Sequence, residues 1–193
     1  MGRLVVNNAM TVNGAFEAPV PEPDGWLVLD ADSNNVSLEQ FLVADAMVLG
    51  RRTYEGLAAV WPQLVDDPKL GPFADRLNSM PKYVATRTLR APLAWNATLL
   101  EGDLAESVTA LKDRHDGTLI VSGAGELTHA LTTRGLVDEF WFWVSPSLWA
   151  TGPRIFDGTG SIRLELIGAT TFASGVLRLA YRPAAAQQHG ASG

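Results

Sequence analysis

Apolar positions along this chain alternate between short runs and helical stripes. Residues 3–10 read as a first strand centred on Leu4, Val5 and Val6. Residues 11–24 read as a loop, with Asn13-Gly14 as a turn signal and prolines at 19, 21 and 23. Ser37-x-x-Gln40 has the form of a capping box and predicts a helix running to Ala46. Met47 to Gly50 is a short apolar strand, and the helical pattern returns over 51–60. Residues 82–87 follow Pro81 as another strand. Asp103-x-x-Glu106 is a second capping box, with Leu104, Val108 and Leu111 on one face of the helix behind it. Then come a strand over 118–121, a helix over 126–133 with Gly135 just past its end, and a strand over 139–144. Residues 163–167 and 176–181 pair as a hairpin around Ala173-Ser174-Gly175.

Strands alternating with helices and closing on antiparallel strands specify an α/β domain. The sheet should be mostly parallel, flanked by helices, with an antiparallel C-terminal edge. Right-handed crossovers would place the strand-to-helix turns along the carboxyl edge of that sheet, where ligands bind in such folds. With no internal repeat and no linker, residues 1–182 read as one domain. Residues 183–193, small and polar, read as a frayed tail.

Composition narrows the chemistry. The 193 residues are 47% hydrophobic, which suits a packed core rather than disorder. A net charge of −6 without a basic block argues against a nucleic-acid partner. There is no cysteine, which removes disulfides, iron–sulfur clusters and thiol nucleophiles. His115, His129 and His189 lack the spacing of a metal site, so no metal is expected. No apolar run reaches the roughly 18 residues of a membrane span. The N-terminus has no secretory pattern, and a cytoplasmic protein is the expectation.

Three strand ends carry groups suited to an anion. In Ser122-Gly123-Ala124-Gly125-Glu126-Leu127 a strand turns on glycines into a helix. The spacing is not G-x-G-x-x-G, and the turn reads either as a tight corner or as backbone N–H groups cradling phosphate. At Gly50-Arg51-Arg52-Thr53 a helix opens with two arginines and a hydroxyl, which arginine's unfavourable interaction with the N-terminal dipole makes more telling. Thr86-Arg87-Thr88 closes a third strand.

VLGRRTYEG, PKYVATRTL, LIVSGAGEL and LVDEFWFWVSPSLWATGPRIF together closely resemble the dihydrofolate-reductase-like superfamily. They resemble in particular the branch containing the reductase domain of bacterial riboflavin biosynthesis and its stand-alone relatives. The resemblance runs to about Tyr181 and implies a fold that binds NADPH in an extended pose. It implies that residues 122–127 hold pyrophosphate, that Arg51, Arg52 and Thr53 hold phosphate, and that Thr86, Arg87 and Thr88 line the 2′-phosphate. The nicotinamide would lie against Asn8, Ala9, Asn13 and Gly14, and the branch often forms homodimers. One departure is Thr11-Val12-Asn13-Gly14, where riboflavin-pathway reductases carry Ser-Leu-Asp-Gly.

These features lead to an NADPH-dependent reductase of a small heterocyclic substrate of the pterin, pyrimidine or flavin-precursor kind. The alternatives are the riboflavin-pathway uracil reductase, with Arg154 and Lys82 gripping the substrate phosphate, and a nucleotide-binding module without turnover. For a proton donor the weak candidates are Asp30, Asp32 and Asn13, with Glu39 close by; residues 24–34 read slightly better as a surface loop of solvated carboxylates. The strand bearing Trp141 and Trp143 on one face and Phe140 and Phe142 on the other is either buried on both sides or turned toward a second subunit. Trp26 and Trp149 fall in segments suited to border a substrate pocket.

Overall fold

Six parallel strands form the middle of the molecule, and two antiparallel strands extend one side. The computed structural model describes residues 1–16, 27, 30–158 and 160–185. The prolines at 19, 21 and 23, Trp26, His189 and residues 186–193 of the expected tail lie outside the described residues. The elements are β1 (Arg3–Thr11), α1 (Ala31–Leu42), β2 (Ala44–Gly50), α2 (Arg51–Val60), α3 (Gly71–Ser79), β3 (Lys82–Ala85) and β4 (Ala97–Leu99). They continue with α4 (Leu104–Arg114), β5 (Thr118–Ser122), α5 (Glu126–Thr133), β6 (Glu139–Ser145), β7 (Leu164–Thr171) and β8 (Leu177–Pro183). The sheet order is β4-β3-β2-β5-β1-β6-β8-β7. Strands β4 to β6 run parallel; β8 lies antiparallel to β6, and β7 antiparallel to β8.

Alternation along each central strand divides the core between the two faces of the sheet. Leu4, Val6, Val48, Leu119, Val121, Phe140 and Phe142 meet Val108 and Leu111 of α4 and Leu131 of α5. Met47, Leu49, Val84 and Ile120 meet Phe73 and Leu77 of α3 and Tyr54 of α2. Strands covered on both faces read as continuous apolar runs, the usual pattern of a parallel sheet.

The aromatic strand β6 is buried on both sides within the chain. Trp143 stacks on Phe172 at 5.8 Å, and its indole N–H donates to Asn7 Oδ1. Trp141 lies under the Arg178 guanidinium, and its N–H donates to Glu139. This strand therefore offers no free aromatic face to a second subunit.

The first helix begins earlier than Ser37. Asp30 is its N-cap, accepting from Ser33 N while Asp30 N donates to Ser33 Oγ. The operative box is thus Asp30-x-x-Ser33, and residues 31–34, expected as loop, are the first turn of α1. Ser37 is mid-helix and Gln40 turns inward, where its amide oxygen accepts from Arg178. The helix stops at Leu42 because Ala44 and Ala46 are already paired with β5, with a bulge at Asp45. Asp45 instead accepts from Gly117 N at 2.8 Å.

The boundaries of α2 and α5 agree closely with the hydrophobic pattern, whereas β7 runs four residues past the expected end at 167. Asp103 caps α4, and Gly135 (φ 67°) closes α5 with Leu136 N and Gly135 N donating back to Leu131 O and Thr132 O. Two elements, α3 and β4, have no counterpart in the sequence reading. Helix α3 opens on Gly71-Pro72, a pair that reads as a turn, and β4 is only three residues long, too short to show an alternation.

Candidate functional site

The strand-to-helix turns meet at the carboxyl edge of the sheet around a cavity of about 650 Å³. Gly50, Arg51, Arg52 and Thr53 line it from the start of α2; Thr86, Arg87 and Thr88 from the end of β3; and Ser122 to Leu127 from the turn between β5 and α5. Three segments far apart in sequence thus share one site. The remaining wall is Leu100, Gly102, Asp103, Leu104 and Ser107, with Ala130 and Arg134 from α5 and its end. Sequence reasoning missed that wall as part of a site, because it depends on β4 pairing beside β3; the only local signal was the Asp103 cap.

Helix ends decide what the cavity can hold. Helices α1 and α4 are capped by aspartates. Helices α2 and α5 instead begin on Gly50 and Gly125, and neither cap makes a side-chain hydrogen bond. Their first-turn N–H groups therefore remain donors at the cavity wall, where the helix dipole favours an anion. Charge agrees with this. Arg51 pairs with Glu55 at 3.3 Å and Arg134 with Asp103 at 3.2 Å. Arg52 and Arg87 are exposed and have no ion-pair partner among the described residues. Thr86 Oγ1 accepts from Thr88 N and Leu89 N, which ends β3 at Ala85 and turns residues 86–88 over the cavity. Glu126 sits exposed in the first turn of α5.

The two glycines of the turn have different physical roles. Gly123 has φ 92°, and a Cβ there would overlap Thr53 Oγ1 and sit 3.3 Å from Thr53 Cβ. It is the tight corner that lets α2 pack on the turn, and Thr128 Oγ1 donates to its carbonyl at 2.7 Å. Gly125 has extended backbone, and a Cβ there would meet nothing within 4 Å. Its missing side chain keeps cavity space open. The fit to a pyrophosphate-bearing dinucleotide rests on that open cradle, the two uncapped helix starts and the unpaired arginines.

Asn8, Ala9, Asn13 and Gly14 are not among the residues lining this cavity. They lie one strand over, on β1 and its turn, since β1 is the neighbour of β5. Ala9 packs against the Trp143 cluster. Asn8 is 7% exposed, and its Nδ2 has no hydrogen-bond partner. Asn13 is engaged at both ends of its amide. Nδ2 donates to Trp149 O at 2.9 Å, while Oδ1 accepts from Trp149 N at 3.1 Å and from Thr11 Oγ1 at 2.7 Å. A carboxylate could not make the first of these bonds, so the amide at this position has a structural use of its own.

The acids of α1 lie apart from the cavity. Asp30 caps the helix and accepts from Ser174 N. Its hydrogen bonds from Ser174, then Ser33, hold the carboxyl at about 2, so it stays ionised at neutral pH. Asp32 and Glu39 are exposed on the helix. Lys82 is 1% exposed. Its ammonium donates to Leu77 O and Asn78 O at the end of α3 and lies 4.0 Å from the Trp95 ring centre. It cannot reach a substrate phosphate from there. Arg154 remains beside Gly14, in the segment that follows β6. Among the described residues no cluster of three or more His, Cys, Asp or Glu could hold a metal ion, and no helix is long and apolar enough to cross a membrane.

The RibD C-terminal domain family model matches residues 3–178. This chain belongs to the RibD C-terminal domain family. Among curated proteins, the uncharacterized protein YyaP of Bacillus subtilis (strain 168) is 28% identical over 185 residues, covering 93% of this chain and 94% of YyaP. Solved structures of riboflavin-biosynthesis proteins and of dihydrofolate reductase share the fold. A putative riboflavin biosynthesis protein from Shewanella sp. PV-4 superposes with a TM-score of 0.68 at 20% identity, over 95% of this chain and 99% of that one. A Thermotoga maritima deaminase/5-amino-6-(5-phosphoribosylamino)uracil reductase gives 0.67 at 14% identity, over 95% of this chain and 57% of the two-activity protein. Enterococcus faecalis dihydrofolate reductase, complexed with NADP(H) and RAB-propyl, gives 0.62 at 14%, over 95% and 97%. The expected fold, a single α/β domain of the dihydrofolate-reductase type, is therefore the one found.

Proposed function

We propose that this RibD C-terminal domain protein is an NADPH-dependent reductase of a small heterocyclic substrate, of the pterin, pyrimidine or flavin-precursor kind. The observation that carries the reading is the single cavity onto which two uncapped helix starts and two unpaired arginines open. In a chain of net charge −6, such a concentration of donors at one place calls for a polyanion. From β3 to β1 the carboxyl edge spans three strand spacings, about 14 Å, which suits a ligand laid across the strands.

In this arrangement Ser122 to Leu127 and Arg51 to Thr53 would hold the pyrophosphate, and Thr86, Arg87 and Thr88 the 2′-phosphate. The nicotinamide would reach toward Asn8 and the Asn13-Gly14 turn. NADPH bound there would supply a hydride. The chain's own task is to align and shield it, which requires no side-chain nucleophile. Asp30, ionised and spent as a helix cap, does not serve as proton donor in this reading.

The T. maritima relative, by its name, reduces a phosphoribosylaminouracil, and the same reaction is the second reading for this chain. It has lost Lys82 as a phosphate grip and keeps Arg154. A homodimer stays part of the proposal, without the aromatic strand as its surface.

The test is a thermal-shift titration with NADPH and NADH on the wild type and Arg52→Ala. Ligand at about 100 times Kd should stabilise the wild type by about 2.7 kcal/mol. The expected result is a shift larger with NADPH than with NADH and reduced in the variant. No shift with either nucleotide refutes the cofactor site. A shift with no oxidation of NADPH across pterins, flavins and aminopyrimidines would make the chain a nucleotide-binding module.

A further inference from the structure

The two uncapped helix starts that open onto the cavity are not alike. The first turn of α2 carries Arg51 and Arg52 and no acid. The first turn of α5 carries Glu126 and neither arginine nor lysine. Helices α1 and α4 also have a first-turn acid, Asp32 and Glu106, but each of those starts is capped by an aspartate, and neither acid lines the cavity.

Two carboxylates do line it, Asp103 and Glu126. Asp103 is committed: it accepts from Ala105 N at 2.8 Å and Glu106 N at 3.3 Å, and pairs with Arg134 at 3.2 Å. Glu126 is exposed and has no hydrogen-bond or ion-pair partner among the described residues. Every other side chain on the wall that can form a hydrogen bond is a guanidinium or a hydroxyl. An ionised carboxylate is an acceptor only. Within α5 itself this acid is favourable, because it compensates the helix dipole. Toward a bound polyanion it is unfavourable, because the anion and the carboxylate share one helix start. A ligand that is negative charge alone therefore meets an opposing group at Glu126. A ligand that also brings O–H donors meets an acceptor there.

We propose that Glu126 selects the ligand of this cavity by its hydroxyl groups. It accepts from the free sugar hydroxyls of a nucleoside diphosphate, and its charge disfavours polyanions that lack them. The inference rests on the nucleotide reading above and divides the work within it. Arg52 and the start of α2 balance the diphosphate charge, and a sugar beside the diphosphate faces Glu126. Glu126 is thus a specificity-determining residue that discriminates against free pyrophosphate.

The two ligand classes should respond to loss of Glu126 with opposite signs. Calorimetric titrations with NADPH and with inorganic pyrophosphate would be run at one low ionic strength on the wild-type chain, Glu126→Ala and Glu126→Gln. Glu126→Ala removes charge and acceptor together, so pyrophosphate should bind about fivefold tighter and NADPH about fivefold weaker. Glu126→Gln removes the charge but keeps an amide oxygen as acceptor. Pyrophosphate should tighten as before, while NADPH stays within about twofold of the wild type. Pyrophosphate binding seen only in the variants counts as tightening. Both ligands moving the same way in Glu126→Ala, either one unmoved, or pyrophosphate bound by none of the three chains would overturn the proposal. A parallel loss together with a lower urea midpoint would mark Glu126 as a helix-start acid and nothing more. Any of these results, with NADPH still bound by the wild type, leaves the cofactor reading standing. Failure of the wild type to bind NADPH would remove that reading and this proposal together.

Discussion

Gly123 and Gly125 stand two residues apart, and replacing each by alanine should give opposite results. At Gly123 the backbone sits at φ 92°, where an L side chain costs about 1–2 kcal/mol. The new methyl would also overlap Thr53, whose β-branched side chain has little rotamer freedom, adding about 1–3 kcal/mol of overpacking. Gly123→Ala should therefore lose about 2 kcal/mol or more. With a urea m-value of about 2 kcal/mol/M, its midpoint falls by about 1 M. At Gly125 the backbone is extended and the methyl meets nothing in the protein. Gly125→Ala should fold as well as the wild type, or gain up to about 1 kcal/mol from a stiffer unfolded chain. Its cost appears only with ligand, because the methyl occupies the space left for phosphate. NADPH affinity should fall about tenfold, or about 1.4 kcal/mol. Urea melts with and without NADPH, on both variants, provide the assay. Equal midpoints for the two variants would refute the corner argument. Unchanged NADPH affinity in Gly125→Ala would refute the cradle argument.

Two further outcomes can be checked by urea unfolding. Burial, then the neighbouring charge of Arg76, push the Lys82 ammonium down from 10.5 to about 8. Between those values the unfolded chain holds a proton that the folded one has released, so stability should rise with pH across that window by at most about 1.4 kcal/mol per unit. Lys82→Met should remove that rise, and parallel curves for variant and wild type would contradict the assignment. Asn13→Asp deletes the donor to Trp149 O and should cost about 1 kcal/mol; a variant of wild-type stability would show that the clamp carries no energy.

What the chain determined by itself is local. The periods of 2 and 3.6 placed β1, α2, α5 and β6 within a residue or two, because each buries a face set by its own spacing. The glycine turn, the Arg51-Arg52-Thr53 helix start and Thr86-Arg87-Thr88 were all legible as anion donors, since a strand end followed by a helix start is a contiguous feature. Tertiary structure decided whatever depended on partners distant in sequence. The start of α1 was misplaced because two capping patterns competed. Asp30 prevailed with a bond from Ser174, 144 residues away. Lys82 looked available for a phosphate until α3 and Trp95 closed over it. Asn13 looked like a lost acid until Trp149, 136 residues on, took both ends of its amide. Gly123 and Gly125 are identical in sequence terms. Only the packing of α2 against the turn makes one a corner and the other a cradle, because steric exclusion is a property of neighbours, and neighbours are set by the fold.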